Sequence, residues 1–219
     1  YDTVGVRMPR HALTQLLLRA LGEGVAAPSA NRFGRVSPTA ASHVLDELEG
    51  RIDAILDGGA CEVGLESTIL AVDPASGELT CLRPGGYSIS EIEKTMNRSV
   101  RLENKSALVA PGMLENHYAP QTRLRLMSRT EIQRGLRDGF QCGTSNDRVA
   151  VLLLSSLGEK SVNQNLYTLS ESGDYREIAR NLFATLRELD SGRYDLIIAE
   201  RCNEQSGLGY AIADRMAKA

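Results

Sequence analysis

The chain has 219 residues, of which 42% are hydrophobic and 24% are charged, and its formal net charge is −3 at pH 7. These values exclude a disordered, collagenous or coiled-coil chain, and the length suggests two domains of modest size or one large one. No stretch approaches the roughly 18 consecutive apolar residues that a membrane-spanning helix needs.

The first hundred residues alternate strand-like and helix-like patterns. Leu13, Leu16 and Leu17 lie at helical spacing and predict a helix. The turn sequence at 73–77 separates two apolar runs, which therefore predict an antiparallel hairpin. An antiparallel pair among alternating elements indicates a mixed α/β sheet. The predicted elements are strands at 2–8, 25–27, 52–57, 67–72 and 78–83, and helices at 12–21, 39–49 and 90–96.

Residues 97–123 show no sustained period and are punctuated by prolines and glycines. A loop of this length without regular structure is usually functional or disordered. Because the stretch is rich in His, Tyr, Met and Leu, we interpret it as more than a spacer. The predicted organisation is a first domain at 1–98, a linker at 99–122 and a second domain at 123–219.

The second domain repeats the alternation of strands and helices. The continuous apolar run at 149–154 is typical of a buried parallel strand. The alternation predicts a small Rossmann-like parallel sheet. The predicted elements are strands at 123–127, 149–154, 165–169 and 195–199, helices at 129–139 and 174–189, and a final helix that carries Ala211, Ile212 and Met216.

The densest polar cluster is the loop at 28–39, between a predicted strand and a predicted helix. Backbone N–H groups and hydroxyls at the start of a helix attract anions. The alternative is that Ser37 only caps the helix and that residues 29–31 form an ordinary turn. The spacing leaves both interpretations open.

Five further features each have a functional and a structural interpretation. The hydroxyls at 64–68 can bind an anion or bond along a sheet edge, and Arg83 can bind phosphate or be solvated. Arg7, on an apolar predicted strand, requires an internal carboxylate or an anionic ligand. We interpret His11 as structural. Residues 207–209 are interpreted as a turn with close packing, because the third glycine of a dinucleotide fingerprint is missing.

Cysteine spacing and net charge restrict the possible partners. The four cysteines are far apart and form no C-x-x-C pair, which disfavours a zinc site and a disulfide framework. Unpaired thiols favour a reducing, cytoplasmic compartment. A net charge of −3 does not attract nucleic acid in bulk, so any polyanion must be bound at a local site.

Six motifs occur along the first 120 residues: DTVGVRMP (2–9), APSAN (27–31), SPT (37–39), GLEST (64–68), LRPG (82–85), and PGM (111–113) with HYAP (117–120). In this order they resemble the L-threonylcarbamoyl-AMP synthase family, and within it the two-domain branch. The resemblance implies an α/β fold: part of a YrdC-like mixed-sheet catalytic domain, an extended linker, and a small Rossmann-like parallel-sheet domain.

The resemblance implies the reaction of the family. L-threonine, bicarbonate and ATP, with Mg²⁺ held mainly by the ATP phosphates, give threonylcarbamoyl-AMP and pyrophosphate. The product is expected to pass to a complex that modifies tRNA, forming N6-threonylcarbamoyladenosine (t6A). No protein nucleophile is needed, so catalysis would rest on positioning and charge neutralisation. The linker would act as a lid.

The site residues implied by the resemblance fall into three groups. The expected ATP contacts are Thr3, Ser29, Asn31, Ser37, Arg83 and Tyr118; the expected threonine contacts are Arg7, Ala27 and Ser67; Thr68 and His117 are weaker candidates.

One departure from the family pattern lies at the start of the chain. Members begin with a segment that carries a Lys-x-Arg motif, and none precedes Tyr1 here. Either the polypeptide is truncated or its numbering begins after a missing part; if it is truncated, we expect it to be inactive alone and to expose apolar sheet surface.

Two other functions are compatible with a YrdC-like fold. The first is binding of double-stranded RNA, which the net charge of −3 disfavours. The second is carbamoyl transfer. Carbamoyl-transfer proteins with this fold normally also carry acylphosphatase and zinc-finger segments, and the cysteine spacing here does not supply such a finger.

Overall fold

The computed structural model describes residues 3–102, 118–143, 145–158, 165–204 and 206–219. The predicted α/β class is confirmed, with one mixed sheet and one parallel sheet. In chain order the elements are α1 (Ala12–Leu21), α2 (Ala41–Leu48), β1 (Ile69–Val72), β2 (Leu79–Arg83), α3 (Ile89–Met96), β3 (Val100–Leu102), β4 (Arg123–Met127), α4 (Arg129–Asp138), a 3₁₀ turn (Asn146–Arg148), β5 (Val149–Ser155), β6 (Leu166–Ser170), α5 (Tyr175–Leu189), β7 (Leu196–Glu200) and α6 (Gly207–Ala217).

The first sheet has the order β1-β2-β3. The predicted hairpin is confirmed: β1 and β2 are antiparallel, and the Asp73 carboxylate accepts hydrogen bonds from the Ala75 and Ser76 backbone in the turn. β3 joins β2 in parallel, which makes the sheet mixed. β3 lies inside the stretch predicted to lack regular structure, because three residues are too few to show a period.

Three predicted strands, at 2–8, 25–27 and 52–57, are wrong. These segments are irregular and mostly exposed, and Val4 and Val6 are 84% and 87% accessible. A strand is stabilised by hydrogen bonds to a neighbouring strand, and none of the described residues pairs with these segments in a sheet. The helix predicted at 12–21 is present as α1, with the His11 side chain as its N-cap, a structural role as expected.

The second sheet has the order β4-β7-β5-β6, and all its neighbouring strands are parallel. The central strands are buried on both faces, which explains their continuous apolar sequences. Helices α5 and α6 cover one face, whereas α4 covers the other through Ile132. The predicted strand and helix pattern of this unit is confirmed, and 207–209 opens α6.

Among the described residues, no helix is both long enough and apolar enough to cross a membrane.

Candidate active site

The first unit comprises α1–α3 and the sheet β1-β2-β3, and the second comprises α4–α6 and the sheet β4-β7-β5-β6. They meet at Arg215, a residue of α6 whose side chain is completely buried. Its Nε donates to Glu66 Oε2 at 2.8 Å, and its Nη2 donates to the Pro84 carbonyl oxygen at 2.9 Å. Its Nη1 donates to Asp214 Oδ2 at 2.7 Å. Burial lowers the pKa of Arg215, but Tyr118 and Glu66 raise it by more, so the guanidinium remains charged. One cation therefore joins the second unit to two loops of the first.

Glu66 connects this cation to Ser37. The Ser37 hydroxyl donates to Glu66 Oε1 at 2.6 Å, while the other oxygen accepts from Arg215. Burial raises the pKa of Glu66, but the Arg215 charge and the two side-chain hydrogen bonds lower it by more, so the carboxylate stays ionised. Ser37 is buried, and the N-cap of α2 is Ala40, so Ser37 is not the helix cap.

Arg83 lies at the end of β2 and is only 7% exposed. Its Nε and Nη2 both donate to the Ser67 carbonyl oxygen, at 3.3 and 2.9 Å. Burial and the nearby Arg215 charge lower the pKa of Arg83. The next turn packs directly on the backbone at 66–68, because a Cβ at Gly85 would overlap it. Close packing thus sets Arg83 beside the Gly64 loop.

The described residues resume at Tyr118, which is completely buried. Its ring stacks on Phe183 with centroids 5.4 Å apart, and the Arg215 guanidinium lies 5.2 Å from its centroid. Burial raises the pKa of Tyr118, so the phenol is neutral at pH 7. The next residue, Ala119, donates its backbone N–H to the Gly34 carbonyl oxygen at 3.0 Å.

Helix α5 fixes the loop that carries Ser37. Arg187 Nη2 donates to the Val36 carbonyl oxygen at 2.5 Å, and the same guanidinium pairs with Glu47 at 2.5 Å. Gly64 has φ +78°, and a Cβ there would overlap the α5 backbone at Ala179 and Arg180. The loops at 36–37 and 64–66 are therefore held against the second unit.

The expected threonine contacts are partly assembled. Arg7 Nη2 donates to the Ala27 carbonyl oxygen at 3.2 Å, and the Arg7 charge contributes to lowering the pKa of Arg83, after burial and Arg215. Arg7 thus has a neutral carbonyl as its partner here. Both residues lie on exposed, irregular segments. Ser67 is exposed, and its carbonyl oxygen receives Arg83.

The remaining expected residues are more scattered. Thr3 and Ser29 are exposed on irregular segments. Asn31 donates its side-chain amide to the Arg32 and Arg35 carbonyl oxygens, and its buried Oδ1 accepts no hydrogen bond from the described residues. Thr68 donates to the Tyr87 carbonyl oxygen at 2.5 Å. His117 lies outside the described residues, as does most of the expected lid.

The junction favours anions. Three guanidiniums contribute positive charge there: the pKa of Arg83 is lowered first by burial and then by the Arg215 and Arg7 charges. Buried guanidiniums among hydroxyls and carbonyls bind phosphate or carboxylate strongly. Within the described parts of the chain, no three His, Cys, Asp or Glu side chains converge as metal ligands.

Sequence reasoning missed Glu66, Arg187 and Arg215. Glu66 lies within the GLEST motif but between residues chosen for their hydroxyls. Arg215 had a usable signal, because it falls on the buried face of α6 beside Ala211 and Ile212, where a cation requires a partner. The partner itself is 149 residues away, beyond what local spacing predicts.

Fold and site together define an α/β protein of two units that meet at buried guanidiniums. Comparison with protein-family models narrows this class of protein to one family. A model described as "Threonylcarbamoyl-AMP synthase, C-terminal domain" matches residues 87–219, and one described as "Telomere recombination" matches residues 1–85. The chain belongs to the threonylcarbamoyl-AMP synthase family, as the motifs indicated.

Three curated proteins named threonylcarbamoyl-AMP synthase are similar in sequence to this chain and support the same family assignment. The protein of Pyrococcus abyssi is 36% identical over 100% of this chain and 64% of its own length. That of Bacillus subtilis is 35% identical over 100% and 63%. That of Schizosaccharomyces pombe is 35% identical over 99% and 57%. The chain thus spans less than two thirds of these relatives.

Two solved structures of the P. abyssi Sua5 protein are similar to the chain. One, a complex with L-threonine, has a TM-score of 0.80 and 34% identity, and covers 100% of this chain and 64% of that one. The other, a variant with alanines replacing an adjacent histidine and tyrosine, has a TM-score of 0.78 and 32% identity, covering 100% and 63%.

Proposed function

We propose that the protein containing this chain is an L-threonylcarbamoyladenylate synthase, a nucleotidyltransferase that forms threonylcarbamoyl-AMP and pyrophosphate from L-threonine, bicarbonate and ATP. The observation that carries the proposal is the junction itself. The buried Arg83 guanidinium, the Ser37 hydroxyl and Tyr118 lie around one Glu66–Arg215 pair, in a chain of this family. The use of the product is tRNA modification to t6A.

The mechanism follows from charge and position. The threonine amine and bicarbonate form N-carboxythreonine with release of water. Its new carboxylate attacks the α-phosphorus of ATP, and the bond from that phosphorus to the pyrophosphate oxygen breaks. Negative charge accumulates on the phosphoryl oxygens as this happens. Arg83 and Ser37 stabilise that charge: the guanidinium and the hydroxyl oxygen are already held at the site, and the Ser37 proton turns from Glu66 to the phosphate when the nucleotide binds. Thr3, Ser29 and Asn31 complete the proposed ATP contacts.

Threonine is proposed to bind beside Arg7. The guanidinium pairs with the threonine carboxylate, the Ala27 carbonyl oxygen accepts a hydrogen bond from the threonine, and Ser67 bonds to its remaining polar groups. The P. abyssi structure with L-threonine supports an amino-acid site in this family. Thr68 is a weaker candidate, because its hydroxyl already donates to the Tyr87 carbonyl oxygen.

The linker is proposed to close over the nucleotide. Tyr118 is anchored between Phe183 and Arg215, and Ala119 is bonded to Gly34, so the downstream end of the linker is fixed beside the site. The P. abyssi variant changes an adjacent His-Tyr pair. The one His-Tyr pair of this chain is His117-Tyr118. We assign this pair to the lid.

Partners follow from the reaction. ATP is proposed to enter with Mg²⁺ bound by its own phosphates, and the product to pass to a tRNA-modifying transferase complex in the cytoplasm. Tight direct binding of nucleic acid is not expected at a net charge of −3.

The experiment measures pyrophosphate release by the full-length protein with ATP, L-threonine and bicarbonate, and with each omitted in turn. The proposal predicts release only when all three are present, and threonylcarbamoyl-AMP as the second product. Pyrophosphate release that does not depend on threonine would contradict the proposal. So would salt-dependent RNA binding by a protein that releases no pyrophosphate. The 219-residue polypeptide, assayed in parallel, tests the expectation that it is inactive alone.

A further inference from the structure

A single side chain of the second unit contacts three parts of the proposed nucleotide site. Arg215 reaches Ser37 through Glu66, with the two hydrogen bonds at 2.8 and 2.6 Å. It reaches the turn after Arg83 through the Pro84 carbonyl oxygen at 2.9 Å. Its guanidinium also lies over the Tyr118 ring. The Arg fork makes these contacts at once, whereas a lysine ammonium cannot match their directions.

We propose that Arg215 is a positioning residue for ATP, so that the second unit completes the nucleotide site without touching the nucleotide. This inference rests on the proposed function. With Arg215 in place, Glu66 stays ionised and holds the Ser37 oxygen in a fixed position. A phosphate that enters must compete with Glu66 for the Ser37 proton. Because the Arg215 charge is paired with the Glu66 carboxylate, Glu66 is a weaker acceptor for the Ser37 proton, and the phosphate can take that proton more easily.

The inference separates the two substrates. Of the three proposed threonine contacts, Arg7 and Ala27 bond to each other, and Ser67 contacts Arg83 rather than Arg215. Loss of Arg215 therefore acts mainly on ATP. A residue that served only to hold the two units together would instead lower the amount of folded enzyme and leave both KM values unchanged.

The first test is Arg215→Met in the full-length protein, with KM for ATP, KM for threonine and kcat measured separately. We expect KM for ATP to rise roughly 10- to 100-fold, which is within the usual range of coupling between a remote residue and a binding site. KM for threonine should change less than about threefold. Arg215→Lys should give an intermediate KM for ATP, because it keeps the charge and loses the fork.

The matched control is Arg129→Met. Arg129 pairs with the buried Glu200 at 2.9 Å within the second unit. It belongs to α4, which packs on the face of the second sheet opposite to α6. Its loss should lower the melting temperature and leave KM for ATP unchanged. An equal rise of KM for ATP in this control would overturn the inference, because general destabilisation would then explain both.

Glu66→Gln keeps the inference testable if Arg215→Met does not fold. The neutral amide no longer pairs with the Arg215 charge, and its NH2 group can only donate, so either Arg215 or Ser37 loses its acceptor and the Ser37 hydroxyl must reverse its hydrogen bond to stay paired. We expect KM for ATP to rise about three- to tenfold, and the double variant with Arg215→Met to resemble Arg215→Met alone. An active wild type in which folded Glu66→Gln keeps its KM for ATP would overturn the inference alone. An inactive wild type would overturn the proposed function.

Discussion

The two units differ in where their buried residues lie. In the second unit they fill both faces of a continuous parallel sheet, with β5 and β7 at its centre. In the first unit the sheet has a core of three buried residues, Leu79, Cys81 and Val100. Other buried residues of that unit, such as Ser37 and Arg83, lie at the junction. The second unit is thus a scaffold, and its contacts help to fix the conformation of the site loops of the first unit.

The largest expected effect tests the scaffold directly. Leu182 is completely buried in the core between α5 and the sheet, whereas Leu16 in α1 is 60% exposed. Leu182→Ala should lower the free energy of unfolding by about 2–5 kcal/mol, and Leu16→Ala by less than about 0.5 kcal/mol. Urea denaturation of the 219-residue polypeptide measures both. Equal losses would show that the two units are not different in packing.

A smaller effect is expected where the units touch. Gly64 and Gly59 both have positive φ, at +78° and +83°, but only Gly64 lies against α5 backbone. Alanine at either position costs about 1–2 kcal/mol for the backbone conformation. At Gly64 the clash should add about 1–3 kcal/mol. Thermal or urea unfolding of the two variants gives the difference, and identical stabilities would mean that the contact with α5 is loose.

The smallest effect concerns a single titrating group. The pKa of Glu66 lies below its usual value of 4.5: burial opposes the shift, and Arg215 and Ser37 produce it. As pH falls the unfolded chain takes up this proton first, so the stabilisation is present above the usual pKa and is lost as pH falls through the lowered one. Wild type should therefore lose stability faster than Glu66→Gln between about pH 5 and pH 3. Parallel urea midpoints for the two proteins over this range would refute the linkage.

The sequence predicted what depends on local pattern. The hairpin at β1 and β2 and the strands of the second sheet have clear periodicity and turns, and they are confirmed. The strands expected at 2–8 and 52–57 had the same apolar pattern, but a strand also needs a partner, which pattern does not provide.

The candidate site divides in the same way. The motifs led to Ser37 and Arg83, and the structure places both at the junction. They did not lead to Arg215 or Arg187, because each acts across about 150 residues of sequence. Contacts of that separation depend on the tertiary fold, so a buried arginine on a helix indicates only that some partner exists.

The most direct test of the account is a crystal structure of the full-length protein with L-threonine and a non-hydrolysable ATP analogue. The account predicts phosphate oxygens within hydrogen-bond distance of the Arg83 guanidinium and the Ser37 hydroxyl, with Tyr118 covering the nucleotide and Arg215 still paired to Glu66. A nucleotide bound elsewhere, such as at the carboxyl ends of the second sheet, with Arg83 still turned to Ser67 and away from it, would contradict the account.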